Sequence, residues 1–124
     1  GRMKTERRKM LDGELYDPMD AELVAGRTRA RDLCQALNAT READADERRR
    51  LLGELFGAGG DSVWMQPPFF CAWGTNIELG ERVFFNFNCV VLDVCRVRIG
   101  SFTLSGRAVQ IYTAMHPLNA EQRG

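Results

Sequence analysis

The chain has 124 residues, with 17 basic and 17 acidic side chains and no net charge at neutral pH. That length is one domain's worth, able to bury roughly two thirds of its unfolded surface. The charge balance removes any general electrostatic reason for nucleic acid or an anionic membrane as partner. No apolar run reaches the ~18 residues of a membrane span, and no secretory leader is visible.

Charge crowds into residues 1–56, which read as helical. The first helix is expected within residues 4–15, with Thr5 as cap, Met10 and Leu11 as its apolar contacts and Gly13 as its end. Tyr16-Asp17-Pro18 then breaks the run, because proline disfavours helical geometry in the residue before it. Asp17 therefore sits on a turn, where its carboxylate can either reach a ligand or stabilise the turn itself. A second helix is expected from about Ala21 to Asn38, capped by Asp20, with Leu23, Ala30, Leu33, Cys34 and Leu37 on one face. A third, about Asp44 to Phe56, opens with Asp44 and Glu47 at capping-box spacing and presents Leu51, Leu52, Leu55 and Phe56. The arginines at 48–50 lie among Glu42, Asp44, Asp46, Glu47 and Glu54, the pattern of a solvated, ion-paired face.

After Asp61 the composition turns apolar. Val63-Trp64-Met65 reads as a strand entering a run of further strands, and Trp64 is expected to pack the helices onto the first of them. Pro67-Pro68 excludes both a helix and a central antiparallel ladder. From there apolar residues recur every six positions: Leu79, Phe85 and Val91; Val83, Cys89 and Cys95; Ile99 and Ile111, with Ser105 midway. This period belongs to neither a helix nor a simple alternating strand. It marks a hexapeptide repeat, in which three six-residue units form one triangular coil of a parallel β-helix. Gly74, Gly80 and Gly100 fall where tight corners are required. Of the four cysteines none shows CxxC spacing, and Cys89 and Cys95 hold inward repeat positions, so buried free thiols are expected rather than a zinc site. His116, the only histidine, closes the repeat.

Several stretches resemble the sugar O-acetyltransferases of the hexapeptide-repeat class, the maltose O-acetyltransferase-like and nodulation acetyltransferases among them. They are Glu14-Leu15-Tyr16-Asp17, CAWGTNIELG, FFNFNCVVLDVCRVRIG and VQIYTAMHPLNA, and the resemblance spans nearly all of residues 3–120. It implies a mainly β protein with N-terminal helices, in which a helical cap (3–60) precedes the first coils of a left-handed parallel β-helix (61–124). It further implies a homotrimer with active sites between subunits, acetyl-CoA as donor and a maltose- or glucose-like sugar as acceptor; the free thiols add a cytoplasmic location, and cysteine spacing and charge balance leave no metal, nucleic acid or membrane expected. Position by position, His116 matches the catalytic base, Asn86 an asparagine that contacts the acceptor and Asp17 an acceptor-binding aspartate. Ala72 and Trp73 fall at the acceptor-contacting position and its neighbour. A neutral imidazole is suited to removing the proton of a sugar hydroxyl as it attacks a thioester.

The chain also departs from the family pattern. Coenzyme-binding coils would lie beyond residue 124. Ala72 and Trp73 replace a polar residue and a tyrosine, and Ser105 and Arg107 replace an apolar residue and a proline. Losing a buried polar partner at 72 is worth roughly 1–3 kcal/mol. Trp73 admits two readings, a changed acceptor or a wall residue that fills the pocket. Two further readings of the whole chain stand beside the enzyme: a non-catalytic β-helix trimer used for assembly or binding, and a carbohydrate-binding module using Trp64 and Trp73.

Overall fold

Three helices lead into stacked coils of very short parallel strands in a computed structural model, which describes residues 3–100 together with the strands at 103–104 and 110–112. The helices are α1 (Glu6–Leu11), α2 (Ala21–Asn38) and α3 (Ala45–Leu55). Thr5 caps α1 by accepting from the Arg8 amide at 3.0 Å, and Asp20 caps α2 by accepting from the Glu22 amide at 3.1 Å. The first helix lies within the expected 4–15 and ends ahead of Gly13, as expected. Gly13 takes φ +77°, and the Glu14 amide turns back to the Lys9 carbonyl, so the helix closes before Glu14 and Leu15 can join it. The capping box expected at α3 does not form. The Asp44 carboxylate accepts from the Arg41 amide instead, and Glu47 is taken by Arg50 at 2.6 Å. Arg48 pairs with Glu42 and Arg50 also with Glu54, so the arginine run is an ion-paired outer face.

The strands are β1 (Trp64–Met65), β2 (Phe69–Cys71), β3 (Ile77–Leu79), β4 (Phe84–Phe85), β5 (Cys89–Leu92), β6 (Val97–Ile99), β7 (Thr103–Leu104) and β8 (Gln110–Tyr112). Every pairing among them is parallel and joins one coil to the next: β1 to β4 to β7, β2 to β5 to β8, and β3 to β6. These are three ladders on three sides, the architecture of a parallel β-helix. The register corrects the simple count of three sixes. Trp64 pairs with Phe84, Phe69 with Cys89 and Ile77 with Val97, a step of twenty residues rather than eighteen. Strand starts at Trp64, Phe69, Ile77 and Phe84 give the three sides five, eight and seven residues. The surplus goes into the corners, most of it into the one at 72–76.

The six-residue rows do point inward: Leu79, Val83, Phe85, Cys89, Val91, Cys95 and Ile99 are all buried. Phe56 stacks on Phe85 and meets Phe69 edge-on, with centroids 6.1 and 5.4 Å apart, so the end of α3 plugs the first coil. Ala30, Cys34 and Leu37 of α2 and Leu51, Leu52 and Leu55 of α3 share this core with Met65, Ile77 and Val91. The segment after α3 also covers the upstream edge of β3. Gly57 donates to the Ile77 carbonyl and the Leu79 amide to Ala58, which removes an unpaired edge.

Trp64 does not bridge helices and coils as expected. It is 52% exposed and stacks on its ladder partner Phe84 at 4.3 Å, because its position in β1 faces outward while Met65 takes the inward place. Trp73 makes the bridge instead. Among the described residues no helix is long and apolar enough to cross a membrane.

Candidate functional site

The enlarged corner at 72–76 is built around one buried carboxylate. Asp93 stands in the corner of the second coil, directly above it, with no exposed surface. Its Oδ1 accepts from the amides of Ala72 (3.1 Å) and Trp73 (2.9 Å), and its Oδ2 from the amide of Asn76 (3.2 Å). Asn76 returns the contact, its side-chain Nδ2 donating to the Asp93 carbonyl at 2.8 Å. In this corner, two residues longer than the repeat, the carboxylate gathers the Trp73 and Asn76 amides and shares the Ala72 amide with the Val91 carbonyl of the ladder. Burial pushes the Asp93 carboxyl up to about 6, and the amide hydrogen bonds oppose that rise without cancelling it. Gly74 completes the turn at φ +78°. A side chain there would overlap the Leu55 carbonyl, its Cβ lying 2.6 Å away.

Trp73 projects from this corner toward the helices. Only 7% exposed, it packs with Met10 and Leu23, and its indole Nε1 donates to the Leu23 carbonyl at 3.1 Å. The Arg27 guanidinium lies 5.3 Å from the ring centroid, a cation–π contact. Gly26 lies against the ring so closely that a Cβ there would sit 2.7 Å from Trp73 Cδ1.

The same elements hold Asp17. Arg27 donates to the Pro18 carbonyl at 2.5 Å, and Glu6 accepts from the Asp17 amide at 2.6 Å. The exposed Asp17 side chain accepts from the Met19 amide at 2.9 Å, so it stabilises its own turn through Oδ1. Tyr16 and Ala72 pack against one small core of Met10, Leu23 and Trp73, which brings the 16–17 segment and the 72–73 corner onto one surface.

Asn86 is elsewhere. It follows β4, in the corner that stacks on 66–68 through the Asn88 amide and the Pro68 carbonyl. Asn88 carries φ +61°, and the Asn86 Oδ1 accepts from the Phe87 amide at 2.8 Å. The Asn86 and Ala72 corners terminate opposite ends of the β2–β5 side, up to ~20 Å apart at the rise of an extended strand. Tyr16, the neighbour of Asp17, thus packs with Ala72 and Trp73 at one corner of a single chain, and Asn86 lies at another. His116, Ser105 and Arg107 lie outside the described residues. Reasoning from sequence missed Asp93 and Asn76. The only available signal was one acid inside the apolar run 89–95. No group of three or more His, Cys, Asp or Glu side chains able to hold a metal occurs among the described residues.

Residues 9–60 match the maltose acetyltransferase hexapeptide capping motif. Nodulation protein L of Rhizobium meliloti is 42% identical over 120 residues, covering 97% of this chain and 66% of the relative. A maltose O-acetyltransferase from Clostridium difficile superposes with a TM-score of 0.85 at 38% identity, over 98% of this chain and 65% of the other. A hexapeptide-repeat acetyltransferase from Vibrio cholerae, solved with acetyl coenzyme A, gives 0.78 at 40% identity, over 97% and 64%. The chain thus spans a little under two thirds of the length of these relatives.

Proposed function

This chain belongs to the hexapeptide-repeat acetyltransferases, and from that premise we propose that it acts in transfer of an acetyl group from acetyl-CoA to a hydroxyl of a maltose- or glucose-like sugar. In this reading the neutral imidazole of His116 takes the proton of the attacking hydroxyl. The oxygen forms a tetrahedral adduct at the thioester carbonyl, and the departing coenzyme thiolate recovers the proton from the imidazolium. Asp17 and Asn86 orient the acceptor, and the Asn86 amide N–H groups, unpartnered among the described residues, are the donors it offers. Ala72 lines the acceptor corner without a polar group, and Trp73 shapes that corner from behind through its packing on α2.

The observation that carries the reading is identity near 40% to acetyltransferases across almost the whole chain, joined to stacked parallel coils and a corner where Tyr16, beside Asp17, packs with Ala72. The separation of the Asn86 corner from the Asp17 corner supports a site completed between neighbouring chains, hence a homotrimer. The coils are assigned the left-handed winding of the family, with residues 3–60 as their cap and 61–124 as coils. The free thiols favour the cytoplasm.

A coenzyme A release assay with acetyl-CoA and maltose tests the proposal. Turnover is expected, and His116→Ala should lower it by ~10²–10⁴-fold. Absence of both turnover and acetyl-CoA binding would replace the enzyme with the non-catalytic trimer scaffold.

A further inference from the structure

Cys34 on the buried face of α2 and Cys71 at the end of β2 face each other with 3.9 Å between their sulfurs. Both are free thiols, Cys34 buried and Cys71 partly open to solvent. Helix and strand are tied beside them by a reciprocal pair of hydrogen bonds. Asn38, one turn beyond Cys34, donates to the Phe69 carbonyl at 3.0 Å and accepts from the Phe69 amide at 2.9 Å, two residues before Cys71. The sulfurs are therefore held at van der Waals contact, about 2 Å from disulfide length. The other two thiols point at carbonyls instead, Cys89 at Asn86 and Cys95 at Met10. The S–H···S contact holds the Cys34 thiol below its usual value, while the same contact and burial raise Cys71. Of the two, Cys34 is the sulfur that gives up its proton first.

We propose that Cys34 and Cys71 form an oxidative modification site, a dithiol that a hydroperoxide converts into an intramolecular disulfide joining α2 to β2. The charge resides on Cys34, whose thiol the contact holds low, and Cys71, partly open to solvent, lies beside it. The Cys34 thiolate attacks a peroxide oxygen, the O–O bond breaks, and the leaving alkoxide or hydroxide takes up the proton the pair released. Cys34 then carries a sulfenic acid. The Cys71 sulfur attacks the Cys34 sulfur, the S–O bond breaks, and hydroxide leaves as water with the Cys71 proton. Two thiols are oxidised by two electrons, and one peroxide is reduced to one alcohol or water and one further water. The bond would lock α2 to the strand that ends one residue before Ala72.

Native protein treated with one equivalent of hydrogen peroxide, alkylated and digested, tests this by mass spectrometry. A Cys34–Cys71 linked peptide should appear, lighter by roughly 2 Da than the two thiol peptides together and split by dithiothreitol. Cys89 and Cys95 should remain fully alkylated. The same oxidation in denaturant should scatter the pairings. A different native pair, intermolecular dimers, or all four thiols still alkylated would overturn the proposal. The wild-type measurement decides whether or not a Cys34→Ser variant folds.

Discussion

Replacing Asp93 by asparagine should reverse part of the pH dependence of stability, with a predictable sign. In the folded chain the carboxyl titrates at about 6, raised by burial, whereas an unfolded aspartate titrates near ~3.9. A raised folded pKa means that the native state holds the proton more tightly between those values. Asp93's contribution is therefore greatest below the unfolded value and is lost as pH rises through the folded one. The full interval corresponds to roughly 3 kcal/mol, and about 2 kcal/mol of it falls between pH ~4.5 and ~7.5. Asparagine has no such titration. Its oxygen can still accept from the Ala72 and Trp73 amides, but its NH₂ would oppose the Asn76 amide, a donor against a donor costing ~1–3 kcal/mol. Urea unfolding followed by tryptophan fluorescence, in both proteins across that range, isolates the term because the other carboxylates cancel in the difference. Wild type minus variant should fall by about 2 kcal/mol from the acid to the neutral end. A flat difference, or one that rises with pH, would refute the reasoning. It would mean that the three amides outweigh burial and hold Asp93 ionised.

Gly26→Ala should destabilise although it sits within α2, where alanine ordinarily gains ~0.5–1 kcal/mol. The added methyl meets the Trp73 ring at 2.7 Å, and overpacking of ~1–3 kcal/mol should win, lowering the thermal midpoint by a few degrees. Asn38→Ala removes both partners of the buried Phe69 backbone and should cost about 2–4 kcal/mol, with amide exchange at Phe69 accelerating more than at Val91.

How far the sequence could be read depends on whether a feature is periodic. The second helix was legible to the residue because its cap, its apolar face and its ends are all local signals. The inward rows at Leu79, Phe85 and Val91 were legible for the same reason. The third-helix cap failed because Arg41 competes for the Asp44 carboxylate, a contest that spacing alone does not rank. The two tryptophans exchanged roles. Trp64 lies on a strand, and which of two alternate residues faces inward depends on register; Trp73 lies in a corner, where the chain leaves the repeat. At the candidate site, Asp17 and Ala72 were singled out through resemblance and Asp93 was not singled out at all. Its partners lie 17 to 21 residues earlier and are backbone amides, which carry no residue identity.

Taken by itself, the sequence determines a chain of period six behind a helical segment, because side chains that stack in successive coils must recur at the spacing of the sides. Only the tertiary structure decides that a full coil takes nineteen or twenty residues, since the corners that absorb the extra ones have no hydrophobic signature. It also decides that a buried carboxylate holds the largest corner, that Trp73 anchors that corner to α2, and that two cysteines far apart in sequence come within 3.9 Å. Each of these is a contact between a side chain and something that spacing along the chain does not encode.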